Sequence, residues 1–121
     1  MCRVLIIDDE ETICRMLIDA LSRNGIASEL ATNGSDGLDM FDQEHFDIVV
    51  TDMVMPGMDG NNIARHIRNS DKPDTPVIGI SGTSWLFEEK QFDVILEKPF
   101  SLHLLVDAVK NLTATPHHAV A

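Results

Sequence analysis

Short apolar runs closed by polar residues alternate along this chain with segments of helical periodicity. Val4-Leu5-Ile6-Ile7 is apolar throughout. A strand without polar alternation is one buried on both faces. Asp8-Asp9-Glu10 closes it. From Glu11 to about Asn24 the period changes: Ile13, Leu17, Ala20 and Leu21 share one helical face. Asn24-Gly25 stops that helix, with Gly25 just beyond the cap. Ile26 to Ala31 reads as a weaker strand with polar insertions, the pattern of a sheet edge. After the Asn33-Gly34 turn, Ser35 is placed to cap a short helix carrying Leu38 and Phe41. Ile48-Val49-Val50-Thr51 is a second buried strand, rich in β-branched residues. Asp52 stands at or just past its end.

Pro56-Gly57 and Asp59-Gly60 are turn signals. A helix is expected over Asn61 to Arg68, with Ile63, Ala64 and Ile67 on one face. Val77 to Ile80 is a short strand ending on Ser81-Gly82, and Phe92 to Leu96 is a last strand ending in Glu97-Lys98-Pro99. Thr83 to Gln91, between them, is short and poorly periodic. Ser101 is placed to cap a final helix with Leu104, Leu105, Ala108, Val109 and Leu112 on one face. Residues 114–121 contain Pro116 and small or polar residues, and are expected to be a flexible tail.

Strand followed by helix, five times over, predicts an α/β fold: a parallel sheet with right-handed crossovers and helices on both faces. In such a sheet every strand ends on the same edge, where ligands bind. Asp8-Asp9, Asp52, Ser81 and Lys98 therefore converge from distant positions. Three crowded carboxylates repel: two unit charges about 4 Å apart cost roughly 4 kcal/mol at an effective dielectric of 20. A hard cation relieves this, and Mg²⁺ takes one or two carboxylates while also binding phosphoryl oxygens. A carboxylate is also a competent nucleophile toward phosphorus. Lys98 and Mg²⁺ would neutralise a transferred phosphoryl group, and Ser81 would hydrogen-bond it.

Composition narrows the partners. A chain of 121 residues is one domain, and 20 acidic residues against 9 basic ones give a formal charge of −11. That excess opposes nucleic-acid binding and docking to anionic lipid. The apolar runs are too short to span a bilayer. The amino end reaches Asp8 within one strand, leaving no room for a signal peptide, so a cytoplasmic location is expected. Cys2 and Cys14 make no metal spacing, and Cys14 is expected in the core. The five His residues form no ligand spacing either. Met53, Met55 and Met58 are expected to pack.

Val4 through Glu10, Asp52 through Gly60, Ser81 after its apolar strand, and Lys98-Pro99-Phe100 together resemble the receiver domain of bacterial two-component response regulators. The resemblance covers about residues 3 to 112. It implies a doubly wound, flavodoxin-like (βα)5 sandwich with strand order 2-1-3-4-5, and a receiver domain over residues 1–113. It implies that Asp52 is the phosphoacceptor, supplied by a sensor histidine kinase or a histidine phosphotransfer protein. Asp8 and Asp9 would bind Mg²⁺ together with Asp52 and the main-chain carbonyl of Val54. Lys98 would contact the phosphoryl group, and Ser81 would be the hydroxyl that moves toward it. Lys98-Pro99 would be a cis peptide. Such a protein is a phosphoacceptor switch that assists its own phosphorylation and dephosphorylation, and its output partner is not specified by these residues.

Two other functions are weighed against this. A phosphatase with an aspartyl-phosphate intermediate ordinarily has a second Asp two residues after the nucleophile, and here that position is Val54. A receiver-fold adaptor that works without phosphorylation would not need the intact acidic site. The chain also departs from the family. Sixteen residues separate Ser81 from Lys98, so the fourth helix is expected to be short or irregular. Ile95 stands where receivers usually place a switching Tyr or Phe. Both changes predict retained phosphorylation chemistry with an altered readout.

Overall fold

The computed structural model describes residues 2–82, 91–98 and 101–114. Its elements in chain order are β1 (Arg3–Ile7), α1 (Glu11–Arg23), β2 (Ala27–Ala31), α2 (Gly34–Gln43), β3 (Ile48–Asp52), α3 (Gly60–Arg68), β4 (Val77–Ser81), β5 (Val94–Glu97) and α4 (Leu102–Ala114). The five strands form one sheet in the order β2-β1-β3-β4-β5. Every pairing is parallel.

The uninterrupted apolar runs are explained by two separate cores. Along β1, Val4 and Ile6 join one core and Leu5 and Ile7 the other; along β3, Ile48 and Val50 part from Val49 in the same way. Successive side chains of a strand point to opposite faces, so covering both faces demands apolar residues at every position. On one face Phe41 of α2 and Ile63, Ala64 and Ile67 of α3 complete the core. On the other, Leu17 and Leu21 of α1 meet Leu105 and Val109 of α4. The central strands β3 and β4 are buried throughout, whereas β2 and β5 are partly exposed, as edges are.

Polar side chains at the amino-terminal edge tie the layers together. The Arg3 guanidinium donates to the His45 carbonyl at 2.9 Å and to the carboxylates of Glu29 and Glu44, and lies 4.6 Å from the Phe46 ring centre. Lys72 Nζ donates to the carbonyls of Phe41 and Glu44, satisfying acceptors that the end of α2 leaves open. Arg68 donates to the carbonyls of Pro73, Thr75 and Gln91 and to Asp93 Oδ2.

Several expectations shift. The N-cap of α2 is Asn33, whose side chain accepts from the Asp36 N–H at 2.8 Å; Ser35 lies inside the helix. Asp59 caps α3 through the Asn62 N–H, so that helix starts at Gly60. The last strand begins at Val94 rather than Phe92, although Phe92 is buried and the Asp93 N–H already bonds the Val77 carbonyl. Ser101 does cap the final helix, accepting from the Leu104 N–H at 3.0 Å. Leu104, expected on the packed face, is 52% exposed, while Val106 takes a buried position instead. Helix α4 runs through Ala114, one residue into the segment expected to be a tail. The short fourth helix, the Lys98-Pro99 peptide and residues 115–121 lie outside the described residues, which hold four helices.

Candidate functional site

Strand ends create the site. Asp52 is the last residue of β3, and its neighbours on both sides are strands of the same direction. The Met53 N–H bonds the Ile80 carbonyl at 3.1 Å, so the chain leaving Asp52 still runs beside β4. Gly60 N–H then bonds the Met53 carbonyl at 2.9 Å, closing the intervening loop, and Gly57 turns it with φ +82°. Met53 and Met55 anchor the loop in the core, with Met58 packed against it, as anticipated. The Lys98 N–H bonds the Ser81 carbonyl at 2.9 Å, which sets Lys98 level with the end of β4.

Asp52 is 5% exposed and Asp8 is fully buried. One oxygen each from Asp8, Glu10 and Asp52 lie within 4.8 Å of one another. Asp52 Oδ1 accepts the Met53 N–H at 2.9 Å, and Asp8 Oδ1 accepts the Glu10 N–H at 2.9 Å. Asp8 Oδ2 is buried and finds no hydrogen-bond donor among the described residues. Lys98 Nζ stands 3.1 Å from Glu10 Oε1 and 3.8 Å from Asp52 Oδ1. Ser81 is buried at 3% exposure at the neighbouring strand end. Asp9 is exposed and outside the cluster, although its charge still reaches Asp52. Val54, in the loop after Asp52, is 62% exposed.

Burial governs the electrostatics. It pushes the Asp8 carboxyl up to about 6; the Glu10 N–H opposes this and the Asp52 charge adds to it. Burial also raises Asp52, against the pull of the Lys98 ammonium and the Met53 N–H. Burial alone would lower Lys98, but its bond to Glu10 and the charge of Asp52 outweigh that and leave it above its ordinary value. Cys14 is buried, and burial pushes its thiol up to about 12, so it is a packing residue as expected.

The donor set fits a hard divalent cation. The oxygens are all carboxylate, and a buried carboxylate oxygen with no donor is a place where a cation replaces the missing partner. Glu10 is the residue that sequence reasoning missed. Its signal is its position, directly after the Asp pair, at the start of α1.

The family model of the response regulator receiver domain matches residues 4–110. The chain belongs to the response regulator receiver domain family. Among curated relatives, it is 35% identical over 108 residues to the sensor histidine kinase RcsC of Escherichia coli K12, a match covering 84% of this chain and 11% of that protein. It is 31% identical over 115 residues to the response regulator MprA of Mycolicibacterium vanbaalenii, covering 91% of this chain and 49% of that one. The chain thus spans about half, or far less, of the curated relatives it matches. Among solved structures, the Thermotoga maritima response regulator TrrA, determined in complex with Mg²⁺-BeF, superposes with a TM-score of 0.85 at 30% identity, covering 93% of this chain and 99% of that one. The receiver fold and the strand order 2-1-3-4-5 are thereby established together. Among the described residues, no helix is long and apolar enough to cross a membrane.

Proposed function

We propose that this receiver accepts a phosphoryl group on Asp52 from the phosphohistidine of a sensor histidine kinase or a histidine phosphotransfer protein, in a reaction that needs Mg²⁺. The observation that carries this is the setting of Asp52: a Lys98 ammonium 3.8 Å away and, in the same cluster, a buried Asp8 oxygen with no donor. An Asp52 carboxylate oxygen bonds to phosphorus as the bond from phosphorus to the imidazole nitrogen breaks, the nitrogen keeping the electron pair. Attack needs the ionised carboxylate. Lys98 and the Met53 N–H favour that form against the cost of burial.

Asp8 and Asp52 would hold the cation, with Asp9 and the Val54 carbonyl completing the set. Mg²⁺ supplies charge neutralisation for phosphoryl oxygens when bound. Lys98 offers the protein's own positive charge to the same group, and the Ser81 hydroxyl at the adjoining strand end is placed to hydrogen-bond one of its oxygens. The product is an altered conformation, so the chain acts as a switch rather than as a turnover enzyme. The TrrA relative with Mg²⁺-BeF supports the cation. The absence of an acid at Val54 disfavours the phosphatase chemistry.

The test is intact mass after incubation with acetyl phosphate and Mg²⁺. The parent is expected to gain one phosphoryl group. Asp52→Ala, and the parent in excess chelator, are expected to gain none; equal labelling in either would overturn the assignment.

A further inference from the structure

Lys98 is shared unequally between two carboxylates. Its contact with Glu10 Oε1, at 3.1 Å, is a hydrogen bond; its approach to Asp52 Oδ1, at 3.8 Å, is an ion pair without one. Glu10 is well placed to hold it. Its N–H is fixed by Asp8 Oδ1 and its carbonyl by the Cys14 N–H at 3.1 Å, so its backbone cannot drift. It occupies the N-cap position of α1, yet its side chain makes no capping bond. The carboxylate reaches across the mouth of the site to Lys98, 88 residues away in sequence.

We propose that Glu10 is a positioning residue that holds Lys98 off Asp52, and so limits both how fast the phosphoryl group is accepted and how long it is kept. The inference rests on the phosphoacceptor reading of Asp52. Phosphorylation replaces the single negative charge of the Asp52 carboxylate with a phosphoryl group that carries nearly two. Glu10 opposes it twice, by competing for the Lys98 ammonium and by placing its own charge within the same cluster. In labelling by acetyl phosphate, the Asp52 oxygen bonds to phosphorus while the phosphorus–acetate oxygen bond breaks and acetate leaves with the electron pair. In hydrolysis, water bonds to phosphorus, the bond to Asp52 breaks, the carboxylate recovers its electron pair, and the water's proton goes to phosphate. Lys98 released from Glu10 stabilises the phosphorylated state between these two steps.

Glu10→Gln removes the charge and keeps the size. A unit charge at about 4 Å is worth about 1 kcal/mol even at the dielectric of water, so a change of at least about fivefold is expected. At saturating Mg²⁺, Glu10→Gln should label faster and lose its label at least fivefold more slowly than the parent. Glu10→Asp, which keeps the charge on a shorter arm, should fall between them. Urea melts of the unlabelled, metal-free proteins should not explain the difference, because lifetime and stability should move independently. A lifetime unchanged or shortened in Glu10→Gln overturns the proposal. So does a variant that folds but no longer labels while the parent does, since that makes Glu10 indispensable rather than restraining. A parent that does not label refutes instead the phosphoacceptor reading on which the proposal stands.

Discussion

Asp8 bears most of the electrostatic strain. It is fully buried, one of its oxygens has no donor, and its carboxyl is pushed up to about 6 from an ordinary 3.8, chiefly by burial. The folded protein therefore holds this proton more tightly than the unfolded chain does. In the metal-free protein the associated stability is fully present below about pH 3.8 and is lost as pH rises through about 6. At pH 7 the loss is about 2–3 kcal/mol, from roughly two units of displacement. Asp8→Asn should recover it. The stability gap between variant and parent, from urea melts without metal, should be near zero at pH 4 and widen toward pH 7. A gap that does not change with pH would mean that the charge of Asp8 is not what costs stability.

Helix α2 shows how one residue sets the spacing of an element. A Cβ on Gly37 would lie 2.6 Å from Ile7 Cδ1 and 2.7 Å from Cγ1. Ile7 is fully buried, and its β-branched stem has no room to turn aside. Gly37→Ala gains about 1 kcal/mol of helix propensity. Forcing a methyl into a packed core costs about 1–3 kcal/mol. With both γ-carbons of Ile7 within 3.1 Å of that methyl, the cost should win. A net loss of about 1–2 kcal/mol is expected in urea melts. A stabilised variant would show that α2 can lift from β1 freely.

At the scale of the molecule, the acidic edge is the point where fold stability and proposed function meet. Repulsion among Asp8, Glu10 and Asp52 is borne by a sheet whose central strands are wholly buried. On the proposed function, Mg²⁺ should stabilise the folded chain by about 2.7 kcal/mol at a hundredfold excess over its dissociation constant. Asp8→Asn and Asp52→Asn should each reduce that gain. Urea melts with and without Mg²⁺ measure it, and a melt indifferent to the ion would remove the cation from the account.

The alternation of apolar runs with helical spacing determined the parallel sheet, because covering two faces requires strands that are apolar at every position. It also placed Asp8, Asp52, Ser81 and Lys98 on one edge, because parallel strands all end on the same side. Caps and exact ends were less legible: Asn33 rather than Ser35 caps α2, since both residue types suit the role and only the backbone's entry angle chooses between them. Leu104 was misplaced because a short amphipathic helix offers two neighbouring faces, and the packing against α1 selects one. The site's finer arrangement belonged to the tertiary structure alone. Asp9 and Glu10 are adjacent and alike in charge, but the chain turning into α1 leaves Asp9 exposed and carries Glu10 to Lys98. Residue type told which groups were available, and strand register told where they gathered. The direction in which each carboxylate points depends on backbone angles that no pattern of hydrophobic and polar residues encodes.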